Sequence, residues 1–133
     1  MTLYVVTGPP CVGKSTWVRE RAELGDLVVD LDRIALAITA ESALHHDYPA
    51  HIRKAAIIVR ATAVELALRY SRRGKAYVIH AKPSPRALSK YRKAQAIMVD
   101  LDAPMDVLMA RAKAERPPHI WATLARWWDE PEE

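Results

Sequence analysis

The sequence has little of what disulfide-bonded, membrane-spanning or multidomain proteins require. Its single cysteine, Cys11, excludes an internal disulfide. The N-terminus lacks the charged and then apolar order of a secretory signal, and no apolar run is long enough to cross a bilayer. No Gly/Ser-rich linker divides the 133 residues. We therefore predict a cytoplasmic protein with one domain at residues 1–128 and an acidic tail at residues 129–133.

Acidic residues are absent between Leu66 and Val99, a stretch that carries nine basic ones. The net charge is +4, but four of the 16 acids lie in the last five residues, which leaves 12 acidic against 20 basic side chains in the domain. This asymmetry favours a polyanionic partner, such as nucleic acid, bound through the basic segment 69–93. A basic face that serves only solubility is the alternative. The nine are Arg69, Arg72, Arg73, Lys75, Lys82, Arg86, Lys90, Arg92 and Lys93.

Two of only four glycines lie in one short stretch, residues 8–16, which reads GPPCVGKST. An apolar, β-branched run precedes it and a helical pattern follows, so it fits the strand–GxxxxGK[ST]–helix form of a phosphate-binding loop. Glycine lets successive backbone N–H groups face one point at a helix N-terminus. The alternative is a glycine turn that serves only the topology. The predicted nucleotide-binding residues are Gly8, Pro9, Pro10, Cys11, Val12, Gly13, Lys14, Ser15 and Thr16.

The loop residues predict the cofactors. Lys14 would place a positive charge on the β- and γ-phosphates of ATP or GTP, and the Ser15 hydroxyl would bind Mg²⁺. Cys11 is interpreted as a small spacer within the loop rather than as a redox switch. His45 and His46 have no partner at metal-ligand spacing, so we expect no zinc site there.

Apolar runs and helical patterns alternate along the chain, which predicts an α/β fold. The four runs are residues 3–7, 27–29, 76–80 and 96–101. Right-handed crossovers and a phosphate loop after the first strand indicate a P-loop NTPase of the nucleotide-kinase kind, a three-layer sandwich with strand order 2-3-1-4. The carboxyl ends of the other strands then deliver residues 30–32, 80–82 and 100–102 to the edge that holds the loop.

The helices are expected at residues 16–24, 33–44, 50–72, 85–93, 103–115 and 119–128. Ser84 and Pro85 should begin the fourth helix, and Asp102 should cap the fifth. Apolar spacing places the side chains of the first three helices in the core at Trp17, Val18, Leu24, Ile34, Ala37, Ile38, Leu44, Ile57, Ile58, Val64, Leu66 and Leu68. Trp121, Trp127 and Trp128 are interpreted as core or contact residues rather than as a base-stacking platform.

Two carboxylates follow the second strand. Asp32 is the candidate general base, because a carboxylate there could take the proton of an acceptor hydroxyl. Alternatively, it only caps the following helix. Asp30, two residues earlier, could share either role or contact the substrate.

Arginines on two predicted helices could bind the phosphate groups of the donor or the acceptor. Arg111 lies on a helix that runs into a proline break, a pattern typical of a kinase lid, and Arg116 is second to it. A solvated helix end is the alternative. Arg53 and Arg60 are seven residues apart and share a helix face, so either could bind an acceptor phosphate, and surface charge is an equal possibility.

Together these stretches resemble the kinase domain of phage-type polynucleotide 5′-hydroxyl kinases. The resemblance involves residues 8–20, 30–33, 77–79, 83–86 and 99–104, with Arg111, and it covers the chain to about residue 128. It implies an ATP-dependent kinase in which Lys14, Ser15, Thr16, Asp32 and Arg111 take the matching family roles. The implied acceptor is the 5′-hydroxyl of a nucleic-acid strand or a nucleoside-like molecule.

Departures from this family keep two alternatives open. Ala35 stands where the family places an arginine that reads the acceptor phosphate, which favours a kinase of another small molecule, an antibiotic or a hydroxymethylated DNA base. After the third strand the family has an aspartate, whereas this chain has His80, Ala81 and Lys82. The absence of this aspartate favours a non-catalytic module that binds nucleotide or nucleic acid. The sequence leaves the oligomeric state undetermined.

Overall fold

The computed structural model describes residues 2–40 and 47–129. Within them, four parallel strands form one sheet in the order β2-β3-β1-β4, as the sequence predicts. The strands are β1 (Thr2–Thr7), β2 (Leu27–Val29), β3 (Lys75–Ile79) and β4 (Ile97–Asp100). Because all four run in the same direction, the residues that follow them meet at one edge of the sheet.

Six helices are described: α1 (Lys14–Arg19), α2 (Leu31–Ala37), α3 (Ala50–Tyr70), α4 (Pro85–Lys93), α5 (Met105–Glu115) and α6 (Pro118–Ala125). The predicted start of α4 is confirmed, since the Ser84 hydroxyl accepts the Ala87 N–H at 3.2 Å and Pro85 occupies the first turn. None of the helices in the described ranges is long and apolar enough to span a membrane.

Helix α1 is shorter than predicted, and Leu24 is fully exposed rather than in the core. The helix ends at Arg19, and Leu24 falls within a later turn, residues 23–26, in which the Asp26 carboxylate accepts the Glu23 N–H at 2.9 Å. Gly25 completes this turn with φ +95°, a conformation that glycine adopts without a steric cost. The side chain of Leu24 therefore points away from the sheet.

Two other helix limits were also predicted wrongly. Helix α2 ends at Ala37, which is exposed, and Ile38 is 41% exposed; Leu44 lies outside the described residues. Asp102 does not cap α5, because its carboxylate accepts only the adjacent Ala103 N–H at 2.8 Å and Pro104 stands directly before the helix.

The sheet lies between two layers of helices. Val5, Val78 and Tyr91 belong to the core beneath α3 and α4, whereas Val6 and Val18 belong to the core beneath α1. Successive strand residues point to opposite faces, and both faces of β1 and β3 are buried, as expected for a covered parallel sheet. A third cluster joins α5 and α6 to the phosphate loop. The three-layer prediction is confirmed.

The long helix α3 meets the core through only part of its apolar side chains: Val64 and Leu68 pack against it as predicted. Ala56, Ala67 and Arg60 are its buried residues, while Ile58 and Leu66 are 71% and 52% exposed. The prediction of Ile58 and Leu66 as core residues is therefore wrong. Apolar residues are spread around this helix, so their spacing alone does not define the face that meets the sheet.

Candidate functional site

The phosphate loop has the backbone conformation that its glycines suggest. Gly8, Cys11 and Gly13 have positive φ angles of 140°, 67° and 101°. A Cβ on Gly8 would lie 2.5 Å from the Leu101 carbonyl oxygen, so glycine is required there for space as well as for conformation. The loop enters α1 directly, with the Trp17 N–H bonded to the Gly13 carbonyl at 2.9 Å.

Lys14 and Ser15 lie where the motif predicts. The Lys14 ammonium reaches back across the loop and donates to the carbonyl oxygens of Gly8 at 2.7 Å and Pro9 at 2.8 Å. The Ser15 hydroxyl lies 3.5 Å from one carboxylate oxygen of Asp30. The loop thus combines a helix N-terminus, an ammonium group and a hydroxyl–carboxylate pair, which suits a phosphate chain with its metal.

The structure gives Asp30 and Asp32 different tasks. Asp30 is buried and begins α2, because its second carboxylate oxygen accepts the Asp32 N–H at 3.1 Å. Asp30, and not Asp32, therefore caps α2, so the alternative in which Asp32 serves only as the helix cap is wrong. Asp32 is half-buried in the first turn of α2, and its carboxylate accepts a hydrogen bond from the Tyr48 hydroxyl at 2.5 Å.

Tyr48, which no sequence motif singled out, contacts the candidate base Asp32. Burial raises the pKa of its hydroxyl, and the hydrogen bond to Asp32 raises the pKa further, so Tyr48 remains a donor at neutral pH. The only sequence signal is its position between the second strand and the long helix, in a segment that resembled an ordinary polar break. Arg53 lowers the same pKa, which places its guanidinium in the electrostatic neighbourhood of this pair.

The structure separates Arg53 from Arg60. Arg53 is exposed near Tyr48, whereas Arg60 is only 6% exposed and lines a cavity between α3 and α4. Both residues lie on α3, seven positions apart, but one guanidinium group is exposed and the other is buried.

Helix α5 brings the two predicted lid arginines toward the loop. Arg111 donates to the Cys11 carbonyl at 3.2 Å. Arg116 ends the helix and pairs with Glu115 at 3.7 Å. Burial raises the pKa of the Cys11 thiol, and both arginines oppose that shift, Arg116 more strongly. Trp121 fixes the end of α5 by donating to the carbonyls of Ala112 at 2.8 Å and Arg116 at 3.0 Å.

The ends of β3 and β4 complete the edge beside the loop. His80 is buried, and its ring is hydrogen-bonded through Nδ1 to the Tyr91 hydroxyl at 2.8 Å. On β4, the Asp100 carboxylate accepts a hydrogen bond from Thr7. The Lys82 ammonium donates to the Trp127 carbonyl at 2.7 Å. Neither Tyr91 nor Thr7 was expected from the sequence, because both follow an apolar pattern that indicates core.

The basic segment does not form one surface. Arg72, Arg73 and Lys75 lie where α3 ends and β3 begins; Lys75 pairs with Thr2, at the sheet edge opposite the phosphate loop. Only the later part, from Lys82 along α4, starts at the loop edge. The three tryptophans also differ, since Trp121 is half-buried, Trp127 is buried and Trp128 is 69% exposed.

The described residues contain no group of three or more His, Cys, Asp or Glu side chains that could hold a metal ion without another ligand. His45 and His46, for which no metal role was expected, lie outside the described residues. Ser15 and Asp30 together fit Mg²⁺, since this ion keeps several waters and binds through few protein oxygens when phosphates supply the others.

Comparison with known proteins identifies the family. A model of an AAA domain family matches residues 3–119. The chain belongs to this AAA domain family. Its fold is that of P-loop kinases, and the family and the fold together support phosphotransfer as its chemistry.

Seven solved chains match this AAA domain protein. One of them is the Deinococcus radiodurans tunicamycin resistance protein, with a TM-score of 0.55 and 17% identity, covering 96% of this chain and 80% of that one. At this identity the match shows a shared fold alone. No curated protein sequence matches the chain. The resemblance to polynucleotide kinases stays a prediction.

Proposed function

We propose that this protein is an ATP- and Mg²⁺-dependent kinase that phosphorylates a hydroxyl of a nucleic-acid 5′ end or of a nucleoside-like molecule. One observation carries the proposal. The phosphate loop, with Lys14 in its concavity, stands one strand away from the β3 end and two from Asp30 and Asp32. A donor site and a carboxylate for the acceptor thus share one edge of the sheet, which is the arrangement that phosphoryl transfer needs.

The loop residues would bind the donor. Its backbone N–H groups and Lys14 would hold the phosphates of ATP or GTP, with Thr16 at the start of α1. Ser15 and Asp30 would hold Mg²⁺, which supplies charge neutralisation on the phosphate oxygens when bound. Asp30 is therefore proposed as a metal-site residue rather than a substrate contact.

Asp32 would orient the acceptor hydroxyl and take its proton. Tyr48 occupies one carboxylate oxygen with a short hydrogen bond and so fixes the plane of the carboxylate. Arg53, whose charge reaches Tyr48 in this pair, would attract an anionic acceptor.

Arg111 would neutralise charge on the transferring group. Its side chain reaches the loop backbone at Cys11, so the guanidinium lies beside the loop that would hold the phosphates. Arg116 would assist from the end of α5, where Trp121 holds the local backbone in place.

A second candidate function is phosphorylation of another small molecule. Ala35 is fully buried, so the position at which polynucleotide kinases are expected to carry a phosphate-reading arginine offers no polar group. The structural match to a tunicamycin resistance protein makes an antibiotic one acceptor to test. A non-catalytic nucleotide-binding role is motivated by His80, which replaces an acid at the end of β3.

Transfer of label from γ-labelled ATP tests the proposal. The acceptor panel contains 5′-hydroxyl DNA and RNA oligonucleotides, nucleosides, and tunicamycin as a representative antibiotic. Labelled oligonucleotide or nucleoside, lost in Asp32→Asn, supports the main proposal. Label on tunicamycin alone supports the second candidate. ATP binding without label on any acceptor supports the non-catalytic role.

A further inference from the structure

The last residues that the structure describes lie against the edge that holds the phosphate loop. Trp127 and Trp128 line a groove of about 510 Å³ together with Gly8 and Pro9, the first two residues of the loop. Trp127 is buried, whereas Trp128 is 69% exposed. Both tryptophans follow residues 3–119, the part of the chain that the AAA domain family model matches. One wall of the groove is therefore built from a segment outside the matched part.

Lys82 contacts both the backbone and the ring of Trp127. Its ammonium group donates to the Trp127 carbonyl at 2.7 Å and lies 5.3 Å from the centre of the indole ring. The distance to the ring is within the range of cation–π contacts, and a hydrogen bond from a charged donor is stronger than one between neutral groups. Lys82 is half-buried, so salt screens these contacts less than contacts on the surface. The pair joins the segment after β3 to the segment after α6.

The segment after β3 also contacts the phosphate loop. Ala81, the neighbour of Lys82, accepts the Gly8 N–H on its carbonyl at 3.0 Å. The Gly8 carbonyl in turn accepts a hydrogen bond from the Lys14 ammonium at 2.7 Å. A continuous series of contacts therefore leads from Trp127 to the loop and to its ammonium group.

The backbone between β3 and α4 depends on side-chain contacts for its position. Residues 80–84 belong to neither a helix nor a strand. Irregular backbone of this kind is held less firmly than a strand within a sheet. On the other side of the loop, β4 holds β1 through backbone alone at this point, since the Leu101 N–H donates to the Thr7 carbonyl at 2.9 Å. The β3 side is therefore where a side-chain contact can control the position of the loop.

We propose that Lys82 and Trp127 are positioning residues that hold the start of the phosphate loop in the conformation that binds the donor. The inference rests on the proposed kinase function for the identity of that donor, ATP. Lys82 acts through the loop backbone and not through its own charge on a phosphate. Loss of its contact with Trp127 lets the Ala81 carbonyl move and weakens the hydrogen bond from Gly8, so the loop populates other conformations and binds ATP less tightly.

Amide hydrogen exchange of the full chain without nucleotide, followed residue by residue by NMR, tests the position of the loop. The Gly8 amide reports the hydrogen bond to Ala81. The Ser71 amide is bonded to the Ala67 carbonyl at the end of α3, away from the loop, and reports the stability of the fold. A calorimetric titration with ATP then measures the donor affinity.

The variants separate the contact from the charge. Lys82→Met removes the ammonium group and keeps a long side chain, whereas Lys82→Arg keeps a donor and a cation–π contact. Trp127→Leu removes the ring. Arg92→Met and Trp128→Leu are the matched controls, because they replace an exposed cation and an exposed tryptophan of the same groove.

Lys82→Met should speed the exchange of the Gly8 amide by at least about tenfold, leave that of Ser71 unchanged and weaken ATP binding by about tenfold. Lys82→Arg should restore both quantities toward the wild-type values. Trp127→Leu should change both in the same direction as Lys82→Met. The double variant should add little to Lys82→Met, because both substitutions break one contact.

Unchanged exchange at Gly8 in Lys82→Met would overturn the inference, even if ATP affinity falls, because Lys82 would then act on the phosphates directly. An equal rise at Gly8 and Ser71, or the same effects in Arg92→Met, would overturn it as well. Failure of the kinase proposal gives a different result. In that case the Gly8 amide still depends on Lys82, yet the wild-type protein transfers label to no acceptor.

Discussion

Tyr48 donates a 2.5 Å hydrogen bond to Asp32, although sixteen positions separate the two residues. The contact joins the first turn of α2 to the segment that leads into α3. It distinguishes Asp32 from Asp30, whose carboxylate is used by the α2 backbone and by Ser15. The two acids therefore differ in their hydrogen-bond partners despite lying two residues apart.

Asp32→Asn is expected to lower kcat by about 10²–10⁴-fold, because the amide cannot accept the hydroxyl proton. ATP affinity should change little, since Asp32 does not contact the phosphate loop through any of the hydrogen bonds described above. Label transfer and a separate ATP titration measure the two quantities. Asp106→Asn, an exposed acid in the first turn of α5, is the matched control. Full activity in Asp32→Asn would remove this residue from the mechanism.

Tyr48→Phe should lower kcat by roughly tenfold while leaving the KM for ATP near the wild-type value. The ring is retained, so only the hydroxyl that orients the Asp32 carboxylate is lost. Tyr70→Phe is the control, because it also removes one tyrosine hydrogen bond, to the Gly25 carbonyl, away from the loop. Steady-state kinetics of the two variants decide the point, and equal kinetics would show that Tyr48 does not position the base.

Gly8→Ala should reduce ATP affinity by at least about tenfold. An added Cβ would meet the Leu101 carbonyl at 2.5 Å and force the phosphate loop to move. Gly25→Ala is the informative comparison, since Gly25 also has a positive φ but a Cβ added there would have no neighbouring atom within 4 Å. That variant should lose stability without losing ATP affinity. If both variants bind ATP as the wild type does, the loop is not the donor site.

Arg111→Lys should lower kcat more than it weakens ATP binding, because lysine keeps the charge but loses the planar fork. The guanidinium lies 3.2 Å from the loop carbonyl of Cys11, so it is placed to act on a bound phosphate. Lys113→Ala changes an exposed cation of the same helix and serves as the control. Rapid single-turnover transfer separates the chemical step from binding, and an unchanged rate would exclude Arg111 from it.

The fold was predictable because its signals are local. Alternating apolar runs and helical patterns, with glycines around Lys14, determine a parallel sheet whose strand order follows from crossover handedness. In the structure Asp32 follows β2 at the sheet edge that holds the loop, and Arg111 donates to the loop carbonyl of Cys11; their catalytic roles stay predictions. The error at Leu24 arose because the helix ends at Arg19 and Leu24 falls in a turn held by the Asp26 side chain, an effect that apolar spacing does not report.

The contacts of Tyr48 and Tyr91 were not predictable, because they join segments that are distant in sequence. Tyr91 follows the apolar pattern of α4 and is indeed buried, yet its hydroxyl partner lies at the end of β3. Likewise, the periodicity that puts Arg53 and Arg60 on one face cannot show that α4 covers only Arg60. Such partners depend on how helices pack, which sequence spacing does not specify.

Tyr91 should make the folded protein sensitive to alkaline pH. Burial raises the pKa of its hydroxyl from 10.0 to about 12. The folded chain therefore holds this proton more tightly than the unfolded chain does, and the stability that it contributes is lost as pH rises from the lower value through the higher one. For the wild-type protein, the free energy of unfolding measured in urea should fall steeply between about pH 9 and about pH 11. Tyr91→Phe should be less stable than the wild type at the lower pH, because the hydrogen bond to His80 is lost. Its free energy of unfolding should fall less steeply as the pH rises. A fall as steep as that of the wild type would assign the alkaline loss to other groups.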